Sequence, residues 1–294
     1  MNEKFIKSPL NYIGGKYKIL PQILPLFPKD INRFVDLFAG GANVSLNVKA
    51  NKVIINDNLT YLVDLYKKLQ KTSEENILKH INKRIEMYSL SLTNQVGYLA
   101  LRAEYNKTKD PLDLFVLIAY SFNHQIRFNS SHEFNNPFGK NRSCYNSSIE
   151  YNLKSFIKKL QNIDVEFYST DFDKFDISFL NANDFVYCDP PYLITTGTYN
   201  DGKRGFTGWG EKEELALLRK LDQINSMGVP FALSNVIQHK GRVNSLLKKW
   251  LDNNPGYLIN SIDINYSNSN YHTKNKDKKT TEVLITNYIP VKVC

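Results

Sequence analysis

The sequence predicts a doubly wound α/β domain interrupted by a long helical insertion. Three observations carry this prediction. Short apolar runs end at glycines or carboxylates, amphipathic stretches alternate with them, and the middle third is helical and polar without strand-like runs. The 294 residues are 42% hydrophobic and 23% charged, an ordinary globular composition for one large domain or two smaller ones.

Residues 34–38 (FVDLF) read as a buried strand, and Ala39-Gly40-Gly41 as the tight turn after it. The small residues of 42–48 suit a helix packed against that strand. Residues 53–55 form a second strand ending at Asn56-Asp57, and 59–69 a helix with Leu62, Leu65, Tyr66 and Leu69 on one face. From 72 to 163 helical periodicity dominates, over 74–88, 95–106 and 112–122, followed by a polar stretch at 123–146. The alternation then resumes with strands at 165–168, 185–188 and 231–236 and helices at 211–225 and 242–251. Strands at 257–266 and 282–288 have no helix between them, so they must pair as a hairpin and make the sheet mixed. The intervening 267–281, with Lys274, Lys276, Lys278 and Lys279, reads as an exposed loop.

The formal net charge of +9 favours a polyanionic partner. No apolar run approaches the ~20 residues of a membrane span, and no apolar signal region follows the first lysines, so a cytoplasmic protein is expected. Cys144, Cys188 and Cys294 match no zinc spacing and are expected as free thiols. The five histidines are scattered without a clustered ligand set, and no metal is expected.

The sharpest signal is Asp189-Pro190-Pro191-Tyr192 at the end of the 185–188 strand. Ligands of open α/β sheets bind outside the carboxyl ends of the strands. An exocyclic amino group is a poor nucleophile because its lone pair is delocalised into the ring. The Asp189 side chain and the Pro190 carbonyl can accept both amino protons and localise that lone pair. Two prolines fix φ and remove two donors, and Tyr192 offers a flat face for an extruded base. The segment 34–41 (FVDLFAGG) lets a cofactor approach the backbone, and Asp57 stands where a carboxylate takes ribose hydroxyls. Residues 11–18 (NYIGGKYK) add two glycines beside an aromatic and a lysine that can close over a cofactor carboxylate.

Taken in order, these segments resemble the Dam family of DNA adenine methyltransferases (the D12 class, alpha group), and its phage members in particular. The likeness runs from Tyr12-Ile13-Gly14-Gly15-Lys16 to the closing hairpin, with Tyr192-Leu193-Ile194-Thr195 and Leu233-Ser234-Asn235-Val236 most like the phage enzymes. It implies a Rossmann-like S-adenosylmethionine-dependent methyltransferase fold with a mixed seven-stranded sheet and a C-terminal antiparallel hairpin. Residues 1–70 and 164–294 would be the catalytic domain. Residues 71–163 would be a mostly helical target-recognition domain, with a DNA-reading hairpin at about 123–146. The implied function is site-specific transfer of a methyl group from S-adenosylmethionine to the adenine amino group in double-stranded DNA, by base flipping.

By the same resemblance, Asp189, Pro190, Pro191 and Tyr192 are catalytic. Tyr12, Lys16, Asp36, Phe38, Gly40, Asp57, Phe172 and Asp189 contact the cofactor, and Arg127, Asn129, Asn135, Pro137 and Lys140 contact DNA. Arg127 aligns with an arginine that reads guanine. GATC is the leading expectation for the target, although Asn123, His124, Gln125 and Asn141 depart from the phage pattern where specificity is decided. The glycine-rich stretch 197–210 is longer than in relatives and is expected to order over DNA or the flipped base. A cognate restriction endonuclease encoded nearby is a candidate partner, and a monomer or weak dimer is expected. Two alternatives stay open: a methyltransferase acting on RNA or on the cytosine amino group, and a DNA binder that keeps the fold without catalysis. A nicotinamide oxidoreductase is weaker, since the second half of the glycine fingerprint is missing.

Overall fold

The computed structural model describes residues 5–12, 14–195, 208–263 and 280–290. In chain order the strands are β1 Arg33–Asp36, β2 Lys52–Asn56, β3 Val165–Tyr168, β4 Phe185–Cys188, β5 Phe231–His239, β6 Arg242–Val243, β7 Leu258–Ile262 and β8 Thr281–Thr286. The α-helices are α1 Leu20–Ile23, α2 Thr60–Lys71, α3 Glu74–Met87, α4 Gln95–Thr108, α5 Pro111–Tyr120, α6 Ser147–Gln161, α7 Glu211–Ser226 and α8 Ser245–Asn253. Packing divides the chain into two compact units. The first holds Met1–Tyr17, Ala39–Asn47 and Asp57–Ser169, and the second Lys18–Phe38, Val48–Asn56 and Thr170–Cys294.

Seven strands of the second unit pair in the order β2-β1-β4-β5-β8-β7, with β6 beside β5. β1, β2, β4 and β5 run parallel, with Phe34 opposite both Val53 and Phe185 and with Cys188 opposite Leu233. β8 is antiparallel to β5 and to β7, so the expected mixed sheet and closing hairpin are present. β4 (FVYC) is buried at every position, as a central parallel strand covered on both faces must be. One face packs Val35, Val186, Phe231 and Leu233 with Leu217 and Leu221 of α7 and Leu247 of α8. Phe27, Phe34, Phe185 and Tyr187 form an aromatic cluster with centroids 4.8–6.4 Å apart. At the start of β1, Arg33 grips the buried Asp184 through Nε–Oδ1 at 2.9 Å and Nη2–Oδ2 at 2.7 Å.

In the first unit α2 packs with α5 and α6, and Tyr66 meets Phe156 at 5.6 Å. α5 is buried from Leu112 to Tyr120. Ser73, Asn94, Asp110 and Asn146 cap α3, α4, α5 and α6, each side chain accepting a backbone N–H of the first turn. The α6 helix was not read from the sequence, although its cap and the buried Leu153, Phe156, Ile157 and Leu160 carry the helical signal. Across 121–138 the chain makes two isolated antiparallel bridges, Ser121 to Phe138 and Phe128 to Phe134.

Two local expectations differ from the structure. Residues 42–48 form successive turns rather than a helix, because Ala42 sits at φ +55° and Asn47 Nδ2 takes the Asn43 carbonyl at 2.7 Å. That side chain occupies the acceptor a helix would give to the backbone. Residues 242–251 begin as β6, because Lys240 and Gly241 at φ +49° and +80° turn the chain back onto β5 before α8. Pro21 and Pro25 chop the segment after Lys16 into short helical turns.

Cys144 and Cys188 are free thiols, whereas Cys294, most of 197–210 and nearly all of 267–281 lie outside the described residues. Among the described residues, no helix is long and apolar enough to cross a membrane.

Candidate active site

In the second unit the parallel strands deliver their carboxyl ends to one edge. Asp36 ends β1, Asn56 ends β2 and Asp189 follows β4. Asn56 fixes this edge: its Nδ2 donates to the Leu37 carbonyl at 3.0 Å and to that of Thr170 at 2.9 Å. Its Oδ1 accepts from Thr170 N at 3.1 Å, which sets the approach to Phe172. Asp36 is buried within the strand end.

The Asp189-Pro190-Pro191-Tyr192 segment leaves β4 with Asp189 half-buried and Pro190 buried. The Tyr192 hydroxyl lies 3.2 Å from Asp189 Oδ1 and 2.9 Å from Glu282 Oε1 on β8. One proton serves two acceptors, and the shorter contact makes Glu282 the main anchor of the ring. Burial, then Asp189 and Glu282, push the Tyr192 phenol well above its ordinary range, so it stays a neutral donor. Thr195 closes the turn onto the Tyr192 carbonyl through its N at 2.9 Å and Oγ1 at 3.2 Å.

Beside this edge Phe38, Phe172 and Trp209 form a three-ring cluster with centroids 5.2–5.6 Å apart. Phe172 is buried, while Phe38 and Trp209 are half-exposed. The Trp209 indole donates to Glu214 Oε2 at 2.7 Å. Glu214 is fully buried, and its other oxygen accepts from Asn244 Nδ2 at 2.8 Å and Asn235 Nδ2 at 3.2 Å.

In the first unit the Tyr12 ring lies against the glycine turn. Gly40 sits at φ +47°, and a Cβ there would come within 2.8 Å of the Tyr12 ring. Only glycine permits both the conformation and the approach. Gly40 N donates to Asp57 Oδ2 at 2.9 Å, Leu59 N donates to Asp57 Oδ1 at 2.9 Å, and the Tyr66 hydroxyl donates to the Gly40 carbonyl. Burial raises the Asp57 carboxyl above its ordinary value, partly offset by these backbone donors. Tyr12 is raised well above its own range by the Asp57 charge and by burial. Lys16 is buried, with Nζ on the Gly14 carbonyl at 2.9 Å. These residues fit a nucleoside-bearing ligand. Asp57 keeps a lone pair on each oxygen for ribose hydroxyls, and the glycine turn holds backbone that a side chain would cover.

The DNA-contacting residues expected at 127–140 lie in the first unit. Asn135 N donates to the Arg127 carbonyl at 3.0 Å, so these two stand opposite each other beside the Phe128–Phe134 bridge. Asn129 holds the connecting turn, its Oδ1 taking Ser131 N and Glu133 N at 3.0 and 2.8 Å and its Nδ2 meeting Glu133 Oε2 at 2.8 Å. Asn135 Oδ1 is buried and has no hydrogen-bond partner among the described residues. Pro137 and Lys140 are exposed, and the Pro137 carbonyl accepts from Phe122 N at 2.7 Å.

A family model for D12 class N6 adenine-specific DNA methyltransferases matches residues 12–280, a range that takes in parts of both units and includes Asp189 to Tyr192, though not Glu282. The chain belongs to this family. Modification methylase StsI of Streptococcus sanguinis is 52% identical over 286 residues, 97% of this chain and 43% of that protein. Type II methyltransferase M.FokI of Planomicrobium okeanokoites is 52% identical over 284 residues, again 97% and 43%. The DNA adenine methylase of Escherichia coli (strain K12) is 28% identical over 232 residues, 77% of this chain and 79% of that one. Similarity is thus greater to these two methylases than to the Dam-type enzyme. The chain spans less than half the length of the first two.

Within this D12-class chain, sequence reading missed Glu282, Trp209, Glu214 and Asn136. Glu282 meets Tyr192 from 90 residues away, and no local pattern announces it. Asn136 is buried and pins the recognition segment, its Nδ2 on the Phe122 and Gln125 carbonyls at 3.0 and 2.9 Å. A three-residue cluster absent from the sequence spacing also assembles: His80, Asp110 and Asp113 bring ligand-type atoms within 4.8 Å of one another. Its His80 Nε2 lies 2.8 Å from Asp113 Oδ1, and both carboxylates also hold partners outside the cluster. Arg84 holds Asp113 at 2.7 and 2.9 Å, and Asp110 caps α5 through Leu112 N at 2.8 Å.

Proposed function

We propose that the chain transfers a methyl group from S-adenosylmethionine to the exocyclic amino group of an adenine in double-stranded DNA. The observation that carries this reading is Asp189-Pro190-Pro191-Tyr192 at the carboxyl end of the buried β4, braced by Glu282, in a D12-class chain. S-adenosylmethionine supplies an electrophilic methyl on its sulfonium. Asp189 and the Pro190 carbonyl accept the two amino protons and free the nitrogen lone pair, and Tyr192 carries the target base against its ring. Glu282 holds that ring in place. In the first unit Tyr12, Lys16, Gly40 and Asp57 are assigned to the cofactor, with Asp57 on the ribose hydroxyls. In the second unit Asp36, Phe38, Phe172 and Asp189 share that assignment, with Trp209 added beside the two phenylalanines.

Residues 71–163 are proposed as the target-recognition part. Arg127, Asn135, Pro137 and Lys140 would face DNA, while Asn129 acts through the turn it holds. The target base would be flipped out of the duplex, and GATC remains the leading sequence to test. The names of the relatives, modification methylase and type II methyltransferase, favour a modification role alongside a cognate endonuclease.

The test is incubation with unmethylated genomic DNA and S-adenosylmethionine, followed by single-molecule sequencing of modified bases. Methyladenine in one short motif, abolished by Asp189→Ala with DNA binding retained, is the expected outcome. Methylation of RNA alone, or DNA binding without modification by the wild type, would overturn the reading.

A further inference from the structure

The β5 strand is longer than its parallel neighbours. It spans nine residues, whereas β1 and β4 span four each and β2 five. Cys188, the last residue of β4, lies opposite Leu233, so β5 continues from Ser234 to His239 beyond the edge that carries Asp189. At ~3.3 Å per residue this overhang is roughly 15–20 Å, allowing for the bulge between Val236 and Gln238. The extension is built rather than frayed. Gln238 pairs with Val243 on one side and Thr281 on the other, and His239 Nδ1 meets Thr280 Oγ1 at 2.8 Å. Lys240 and Gly241, both left-handed, make the tight turn into β6.

Lys240, Gly241 and Arg242 are all exposed at this tip, so an ordered hairpin holds two cations beyond the Asp189 edge. His239 beside them is held below its ordinary value, first by burial and then by the charges of Lys240 and Arg242. Confining like charges on a short turn costs free energy in the unbound protein, and an anion placed against them recovers it. A duplex presents one negative charge per ~1.7 Å of its axis. A base drawn out of the stack brings its flanking phosphates down toward the rim of the pocket that receives it.

We propose that the β5–β6 hairpin is a phosphate clamp, in which Lys240 and Arg242 contact the DNA backbone beside the target base. The contacts are independent of sequence and set affinity and register rather than specificity. The proposal rests on the methyltransferase reading for its partner, and on the strand register for its place.

The experiment measures binding of a fluorescent 20-base-pair duplex across a salt series, for the wild-type chain and for K240A/R242A. The log–log slope is expected to fall by about 1.8, from about 0.9 per phosphate contact, with duplex affinity reduced ~10-fold near 0.15 M salt. The KM for DNA should rise while kcat and S-adenosylmethionine affinity stay unchanged, and the charge-keeping K240R/R242K should bind like the wild type. An unchanged slope in K240A/R242A, with the wild type still methylating DNA, overturns the clamp alone. A reduced slope in K240A/R242A, with a wild-type chain that binds DNA but does not methylate it, overturns the methyltransferase reading and leaves the backbone contact without its target base. A wild-type chain that shows no salt-dependent DNA binding overturns both.

Discussion

Glu214 is a buried carboxylate whose three described partners are the N–H donors of Trp209, Asn235 and Asn244. A buried charge without a cation is expensive, and the first turn of α7 offsets part of that through the helix dipole. What the arrangement secures is the orientation of the Trp209 ring against Phe38 and Phe172. Glu214→Gln replaces one acceptor oxygen with a donor, so one N–H loses its partner. The expected loss is about 1–3 kcal/mol of stability by urea unfolding. The chain has two tryptophans, so a Trp250→Phe background isolates Trp209 fluorescence. There, S-adenosylmethionine should quench Trp209, and Glu214→Gln should weaken binding several-fold; unchanged quenching and affinity would place Trp209 away from the ligand. Asp57 offers a second test, in pH. Burial holds its carboxyl above the ordinary value, so the charged form that accepts ribose hydroxyls is populated later as pH rises. Cofactor affinity should climb through the acidic range just above the usual carboxylate value and then level off, whereas Asp57→Asn should bind weakly at every pH. The Asp189 motif, the glycine turn and Asp57 were legible in the sequence because their chemistry lies in contiguous residues. Glu282 and Asn136 were not, because their partners are brought to them by the fold.

Elements declared themselves where one period or one cap ruled, as in α3, α4, α7 and β4. They hid where a single residue redirected the backbone, as Asn47 does after Gly41 and Lys240-Gly241 do before α8. The start of α4 illustrates how tight such control is. A Cβ on Gly97 would fall 2.0 Å from the Tyr88 carbonyl oxygen, which is main chain and cannot rotate away. Gly97→Ala should therefore destabilise the chain by about 1–3 kcal/mol, despite the higher helix propensity of alanine. An unfolding midpoint equal to or above the wild type would contradict that contact. At the start of β1, burial alone would raise the Asp184 carboxyl. The hydrogen bonds from Arg33 and from Asn181 N, with the Arg33 charge, outweigh it and hold the group below its ordinary value. A depressed acid contributes stability that is present above its unfolded value and is lost as pH falls through the folded one. Arg33→Met should thus cost about 3 kcal/mol at neutral pH, with the penalty shrinking in acid. A pH-independent penalty would mean that the pair is held by packing alone.

The chain divides into two compact units, each assembled from three segments of sequence rather than one domain followed by another, and this bears on how the recognition part can be separated. A sequence-based boundary at residue 70 or 71 leaves α2 with the catalytic sheet. In the structure α2 belongs to the same compact unit as α3, α4, α5 and α6. Its Leu62, Val63, Leu65, Tyr66 and Leu69 are each at most 1% exposed, and it packs with α5 and α6. Removing 71–163 would strip that cover. Five large apolar side chains at about 1.5–3 kcal/mol each amount to roughly 10 kcal/mol, comparable to the whole stability of a typical domain. The excised chain is expected to aggregate or to bind a hydrophobic dye, with loss of the cooperative unfolding transition. The same excision with Leu62, Leu65, Tyr66 and Leu69 changed to polar helix formers should recover solubility. Tyr66 also donates to the Gly40 carbonyl, so even the soluble form should bind S-adenosylmethionine more weakly than the intact chain. Full cofactor affinity in that soluble 71–163 deletion would show that the glycine turn stands without Tyr66 and without α3 to α6.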